Sequence, residues 1–178
     1  MKKIFIFTLI ILSYSIFSQN YNNYLHNSNT GSFDKSGKKV GDWKEYEMKG
    51  ESKIIGIGKY KNGFRINKWK FYWSNGKLAE IGKYNKKGIR KGRWKFYSEL
   101  GLLKAISQYN KSKWREFYNN GHLESVGQIR NEREIGKWEY YYENGKLKSF
   151  GHYDEYGDKT GEWKYYNQNG KLIKKQQY

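Results

Sequence analysis

The chain has no cysteine and no proline, and it has only three histidines among its 178 residues. Without cysteine it can form no disulfide and offers no thiol nucleophile, so an exported form must be held together by packing alone. Without proline no strand ladder is interrupted, which suits a protein made of sheet. His26, His122 and His152 do not sit in any ligand or nucleophile motif. The sequence therefore predicts no catalytic site, no metal site and no cofactor.

The chain also lacks an apolar run long enough to cross a membrane as a helix. Its longest run, at 4–12, follows two lysines and precedes several serines. This arrangement predicts a secretory signal peptide over residues 1–18, and we expect cleavage after Ser18 and export to the periplasm, the outer surface or the medium. An uncleaved membrane anchor is the alternative.

What the chain does contain is a repeat. A Gly-x-Trp-x-x-aromatic segment, a turn and a Leu-x-x-x-Gly-x-Tyr segment recur six times, which indicates a repeat architecture. The copies open at Trp43, Trp69, Trp94, Trp114, Trp138 and Trp163 and close at Tyr60, Tyr84, Tyr109, Ile129, Tyr153 and Tyr178. The distance from opening to closing residue is 15 in five copies, whereas the distance to the next Trp varies. We interpret the constant part as a hairpin and the variable part as a surface connection.

Four copies carry Asn-Gly at the same place, which predicts a two-residue hairpin turn with positive φ at both positions. The aromatic and β-branched flanks favour strands, and no helical periodicity follows residue 20. The sequence thus predicts an all-β, elongated, single-layer antiparallel array of six hairpins. The Trp residues are its expected core, and Gly82, Gly127 and Gly151 leave room for a neighbouring ring to lie across the strand.

In most copies an apolar residue follows the Leu of the second segment at a spacing of three, and this spacing can be explained in two ways. Either the two side chains lie on opposite faces of a regular strand, or a bulge resets the alternation. We expect a strongly twisted sheet with Trp and Tyr on one face and further aromatics on the other. The predicted organisation is a signal peptide at 1–18, a flexible segment at 19–30 and the array at 31–178, which begins with a capping strand.

The copies resemble the MORN repeat family in its bacterial variant form. The resemblance rests on stretches such as Gly92–Tyr97, Gly136–Leu147 with Gly151–Tyr153, and Gly161–Leu172. It implies an elongated stack of antiparallel hairpins that serves in scaffolding, dimerisation or contact with phosphoinositides and membranes, often beside a catalytic domain. Bacterial variants of this type often carry an antitoxin label, so a protein that neutralises a toxin by direct binding is the alternative function. The oligomeric state stays open.

Positive charge is concentrated in the middle of the chain. Residues 59–115 hold 17 Lys and Arg against Glu80 and Glu99, whereas residues 116–178 hold equal numbers of basic and acidic residues. The densest run predicts a ligand-binding loop formed by Lys86, Lys87, Arg90, Lys91 and Arg93. Anionic lipid headgroups, envelope polysaccharide or an acidic protein are the expected partners. An exported chain rarely meets nucleic acid, and a lysine-rich surface that only confers solubility is the other possibility.

Overall fold

A computed structural model describes residues 30–47 and 53–178, so the predicted signal peptide at 1–18 and most of the segment at 19–30 lie outside the described residues. Thirteen strands form one antiparallel sheet in which each strand pairs only with its neighbours in sequence. They are β1 (Thr30–Phe33), β2 (Lys39–Glu47), β3 (Lys53–Lys61), β4 (Phe64–Tyr72), β5 (Leu78–Tyr84), β6 (Arg90–Tyr97), β7 (Leu103–Gln108), β8 (Lys113–Phe117), β9 (Leu123–Arg130), β10 (Arg133–Tyr141), β11 (Leu147–Tyr153), β12 (Lys159–Tyr166) and β13 (Leu172–Gln177).

The predicted fold class is confirmed: β2 to β13 form six consecutive hairpins in a single open sheet, and β1 pairs with the first of them. A 3-10 helix at Tyr109–Lys111 joins β7 to β8. No helix in the described part of the chain is long and apolar enough to cross a membrane. With about 4.8 Å between strands, thirteen strands extend for roughly 60 Å perpendicular to their own direction.

A bulge in each hairpin explains the spacing of three. In the hairpin of β4 and β5, Phe71 pairs with Glu80 and Tyr72 pairs with Leu78, so one extra residue, Ala79, lies between the paired positions. The alternation is reset there, which places Leu78 and Ile81 on the same face. That face also carries Tyr72, while the opening Trp and the closing Tyr share the other. We call the face with Leu78, Ile81 and Tyr72 the basic face. We call the face with the opening Trp and the closing Tyr the tryptophan face.

Five of the six tryptophans that open the copies lie flat against a glycine of the preceding strand. A Cβ atom at Gly58 would overlap the ring of Trp69, and the same overlap would arise between Gly82 and Trp94. The ring nitrogen then reaches the carbonyl of the residue after the glycine: Trp69 Nε1 donates to Lys59 O at 3.1 Å. Trp94, Trp138 and Trp163 repeat both features with their own glycines and carbonyls. The glycine of the repeat is therefore required by close approach and not by a turn.

Side chains of the sheet itself cover the tryptophans. Trp69 is 0% exposed although no second layer of backbone lies above it in the described structure. Tyr60 and Tyr84 pack edge-on against its ring, with centroids at 5.2 and 6.4 Å, and Phe71 stacks on it. The guanidinium of Arg65 lies 5.0 Å from the ring centroid. One sheet thus buries its own core because large rings lie parallel to it instead of projecting from it.

The hairpin turns differ from the prediction. At Asn75 and Gly76 the loop has three residues: Gly76 N donates to Trp73 O, Trp73 N donates to Lys77 O, and only Gly76 has a positive φ. This is the geometry of a type I turn followed by a left-handed glycine. The prediction of a two-residue turn was wrong because Asn-Gly is compatible with both geometries. The asparagine instead uses its side chain, since Asn75 Oδ1 accepts from Lys77 N at 3.0 Å.

The connections between hairpins are also tight. Where the distance to the next Trp is nine, the turn has two left-handed residues, Asn62-Gly63 or Asn131-Glu132. Where it is ten, the turn has three residues and ends in a left-handed glycine, as at Gly88. The variable part is a set of short exposed turns, because the strands continue almost to each turn. One residue of variation is the difference between two turn types.

Candidate anion-binding face

The two faces of the sheet treat positive charge differently. On the tryptophan face, Arg65 Nη2 lies 2.9 Å from Glu45 Oε2, and Arg90 Nη2 lies 2.9 Å from Glu80 Oε2. Both arginines also stack on tryptophan rings, Arg90 at 3.9 Å from the centroid of Trp94. These cations are compensated by carboxylates and form part of the packing.

Burial dominates the electrostatics of the pair between Arg90 and Glu80. Their side chains are 12% and 13% exposed. Desolvation raises the pKa of the Glu80 carboxyl to about 8, and desolvation lowers the pKa of the Arg90 guanidinium. The 2.9 Å contact opposes both shifts, because each partner stabilises the charge of the other. This pair therefore belongs to the interior of the repeat array and is not displayed to a ligand.

The opposite, basic face carries a regular row of cations. Because Trp69 points to the tryptophan face, Lys70 must point to the basic face, and the same holds in the other hairpins. The strand register places these residues in one line across the sheet, alternating with aliphatic residues: Lys44, Ile57, Lys70, Ile81, Lys95, Ile106, Arg115 and Val126. We call Lys44, Lys70, Lys95 and Arg115 the cation row.

The charges of the cation row are not compensated within the sheet. Lys44, Lys70 and Arg115 are exposed and Lys95 is half-buried. None of the four forms an ion pair with another residue in the described ranges. Both acidic residues within strands β4 to β8, Glu80 and Glu116, lie on the other face. Beyond β9 the row ends at Glu139, which pairs with Lys137.

A second group of cations lies beside this row. Lys68 on β4 is directly opposite Lys83 on β5, which is in turn opposite Lys91 on β6. All three are exposed. Like charges directly opposite one another destabilise a sheet. The repulsion between these three lysines therefore lowers the free energy of unfolding, and a bound anion would remove that repulsion.

The structure divides the predicted binding loop. Lys86 and Lys87 are exposed in the turn between β5 and β6, whereas Arg90, Lys91 and Arg93 belong to β6 itself. Lys91 and Arg93 lie on the basic face, opposite Lys83 and Gln108. Arg90 faces the tryptophans. The five residues thus do not form one site in a loop. The positively charged surface extends beyond them.

Sequence reasoning missed the cation row although a signal was present. The residue after the opening Trp is basic in five of the six copies, as Lys44, Lys70, Lys95, Arg115 and Lys164. Strand alternation places any neighbour of a buried Trp on the opposite face. A count of charge along the chain favours dense runs over periodic single residues.

In the described residues, no group of three or more His, Asp or Glu side chains is arranged to hold a metal ion. The fold and this surface together define the class: a repeat protein built of β-hairpins that presents a regular surface. Four hairpins match the family model described as MORN repeat variant, at residues 65–86, 112–131, 134–155 and 159–178. The hairpins that open at Trp43 and Trp94 lie outside these matches. No curated protein matches the chain.

Proposed function

We propose that this protein is a non-catalytic binding module that contacts an anionic partner through the basic face of strands β4 to β8. MORN repeats are typically binding or scaffold modules. The observation that carries the proposal is the separation of charge, since Arg65 and Arg90 on the tryptophan face have carboxylate partners and the cations of the basic face within strands β4 to β8 form no ion pair with a described residue. We further propose that the partner is met outside the cytoplasm, after removal of residues 1–18.

Lys83 supplies the sharpest test, because it lies between Lys68 and Lys91. We expect Lys83→Gln to raise the thermal midpoint slightly, since it removes repulsion worth about 0.2–1 kcal/mol. The same variant should be retained less well on anionic vesicles or on envelope material. Binding should also weaken with salt, since the Debye length falls from about 10 Å at 0.1 M to about 3 Å at 1 M.

The matched control neutralises lysines outside this region, at Lys146, Lys148 and Lys171. Retention of this variant should be close to that of the wild type, although it loses more charge than Lys83→Gln. A larger loss in the control variant than in Lys83→Gln would mean that net charge alone matters. If the wild-type protein is retained on no anionic material at low salt, the basic face serves solubility and the proposal is wrong.

Toxin neutralisation is the second candidate for the same surface. It differs in the partner, which would be one protein with an acidic patch and a defined stoichiometry. Calorimetry with an isolated partner distinguishes the two, because a surface or polymer binds several copies of the array and a toxin binds a fixed number. No feature of the described residues favours this second candidate.

A further inference from the structure

The cation row has a fixed geometric period. Its members stand on every second strand, so successive positive charges are about 9.6 Å apart, given about 4.8 Å between strands. An aliphatic side chain, Ile57, Ile81 or Ile106, separates each pair of cations along the row. From Lys44 to Arg115 the row covers roughly 29 Å. A ligand that uses every cation therefore needs negative charges at this period and must lie across the strands.

The twist of the sheet bears on whether that ligand is flat or linear. Adjacent strands rotate by about 20–25° on average. Over the six strand intervals from β2 to β8 the direction of the basic face changes by roughly 120–150°. A planar surface such as a bilayer can then meet only two or so successive cations. A linear polymer can follow the row around the twist and meet all four.

Neighbouring side chains indicate the chemistry of the polymer. Beside the cation row, the register places Arg93, Gln108, Lys113 and Gln128 in line, so cations alternate with amides. An amide both donates and accepts hydrogen bonds, which suits hydroxyl groups. Tyr72 and Tyr97 lie half-exposed on the same face. Phosphodiester and polypeptide chains carry few neutral hydroxyl groups along their backbones, whereas a polysaccharide carries hydroxyl groups along its whole length.

From these observations we infer that the basic face binds a linear acidic polysaccharide with one carboxylate per disaccharide, which lies along the cation row. In an extended polymer of this kind a disaccharide is about as long as two strand spacings, so each carboxylate meets one cation. The inference rests on the proposed function, because it specifies which anionic partner the same face takes.

Chain length tests the inference directly. Hyaluronan oligosaccharides carry one carboxylate in each disaccharide and can be obtained in defined lengths. Affinity for the mature protein, measured by calorimetry, should rise steeply from two to four disaccharides and then level off, because the row has four cations. Neutral dextran should not bind. Affinity that does not change with length would overturn the inference while leaving the proposed function intact.

Two triple variants with the same net charge locate the site. Lys70→Gln, Lys95→Gln and Arg115→Gln together remove three members of the cation row. Lys35→Gln, Lys146→Gln and Lys171→Gln remove three exposed cations from connecting segments outside strands β4 to β8. Each row cation removed should weaken binding of the four-disaccharide probe by about 2- to 5-fold, the range for exposed ion pairs. The connecting-segment variant should bind like the wild type.

The competing ligands give distinct outcomes. Tighter binding to anionic vesicles than to the oligosaccharides, with equal losses in both triple variants, would overturn the polysaccharide inference in favour of a membrane. Polyglutamate that binds with the same dependence on length would overturn it in favour of an acidic peptide. If neither vesicles, oligosaccharides nor polyglutamate bind, the proposed function itself fails. Circular dichroism of each variant confirms that the sheet is intact.

Discussion

At the scale of single residues, the stability of the array rests on one arrangement, a tryptophan ring lying on a glycine. The ring gains contact with backbone on one side and with tyrosine and a cation on the other. Copy four shows what happens without the glycine. Ser107 stands in its place, and Trp114 is 9% exposed where five other repeat tryptophans are at most 2% exposed.

Gly82→Ala tests this arrangement, because the added methyl group would overlap the ring of Trp94. We expect a loss of about 1–3 kcal/mol in the free energy of unfolding, as for other overpacked sites. Urea denaturation measures it. In a double-mutant cycle with Trp94→Phe the losses should be less than additive, because the smaller ring makes room for the methyl group. Strict additivity would show that the two residues do not interact.

Trp138→Ala tests whether the tryptophans are core or ligand platform. Trp138 is 0% exposed and packs against Tyr140 and Tyr153. Its removal should cost about 3–5 kcal/mol, the range for large-to-small core changes. The exposed Tyr156 provides a control, and Tyr156→Ala should cost little. An unchanged urea midpoint for Trp138→Ala would assign the ring to ligand binding.

At the scale of secondary-structure elements, side chains of the turns connect each hairpin to the next. Asn75 Nδ2 donates to Glu99 O, Asn120 Nδ2 to Glu143 O and Asn144 Nδ2 to Gln168 O, with distances of 2.9 to 3.2 Å. The recurring asparagine therefore has two roles, since its oxygen also caps its own turn. Three of the four copies of Asn-Gly are explained by this bond between repeats as well as by the glycine, whereas in the fourth the oxygen of Asn167 accepts from Lys171 N.

Asn144→Asp separates the two roles, because aspartate keeps the oxygen that caps the turn and loses the donor to Gln168. We expect a loss of about 0.5–1.5 kcal/mol, the usual net value of one hydrogen bond. Asn169 stands at the same position of the hairpin of β12 and β13, and its side chain donates to no further turn in the described structure. Asn169→Asp should therefore be neutral. Similar losses in the two variants would mean that the bond between turns contributes nothing.

The sequence predicted the elements well and their connections poorly, for physical reasons. Because a tryptophan recurs at a regular spacing and is buried in each copy, the repeat determines which residues pair. The six hairpins could therefore be predicted from the sequence. Asn-Gly fits more than one turn, and the choice depends on the register of the flanking strands. The residue two positions before each opening Trp has a positive φ: Gly41, Asn67, Gly92, Ser112, Gly136 and Gly161. Asn67 and Ser112 therefore adopt the left-handed conformation that glycine adopts in the other copies.

At the scale of the whole molecule, a layer of aromatic residues runs through the array, with Ile129 in the place of a tyrosine between Trp114 and Trp138. Burial raises the pKa of the phenol in Tyr60, Tyr140 and Tyr153, and it raises that of Tyr84 to about 12. The ordinary value is 10.0. Since the folded-state values are raised, the unfolded chain ionises first, and ionisation favours unfolding.

The contribution of these phenols to stability should accordingly be constant below about pH 10 and should fall as the pH rises through 10 towards 12. Tyrosinate absorbance and circular dichroism, followed together, measure this. The buried phenols should ionise only as the sheet signal is lost. Complete ionisation with an unchanged sheet signal would show that these hydroxyls reach water in the folded state.

The candidate site needed the whole molecule to become visible. The count of basic residues along the chain identified the correct part of the protein. It nevertheless grouped Arg90, which stacks on Trp94, with Lys91 and Arg93 on the other face. Only the register across five strands shows that Lys70, Lys95 and Arg115 stand in line. Periodicity within one strand predicts the face, and pairing between strands decides the neighbours.

The strictly sequential order of the strands also has a mechanical consequence. Because β1 and β13 are the two edges of the sheet, a load applied to the ends of the described array pulls across the strands, along their hydrogen bonds. Such a load meets one strand pair at a time instead of shearing several together. The protein should extend under tension by releasing hairpins one after another at low force, and it should shorten again by re-pairing each strand with its neighbour in sequence.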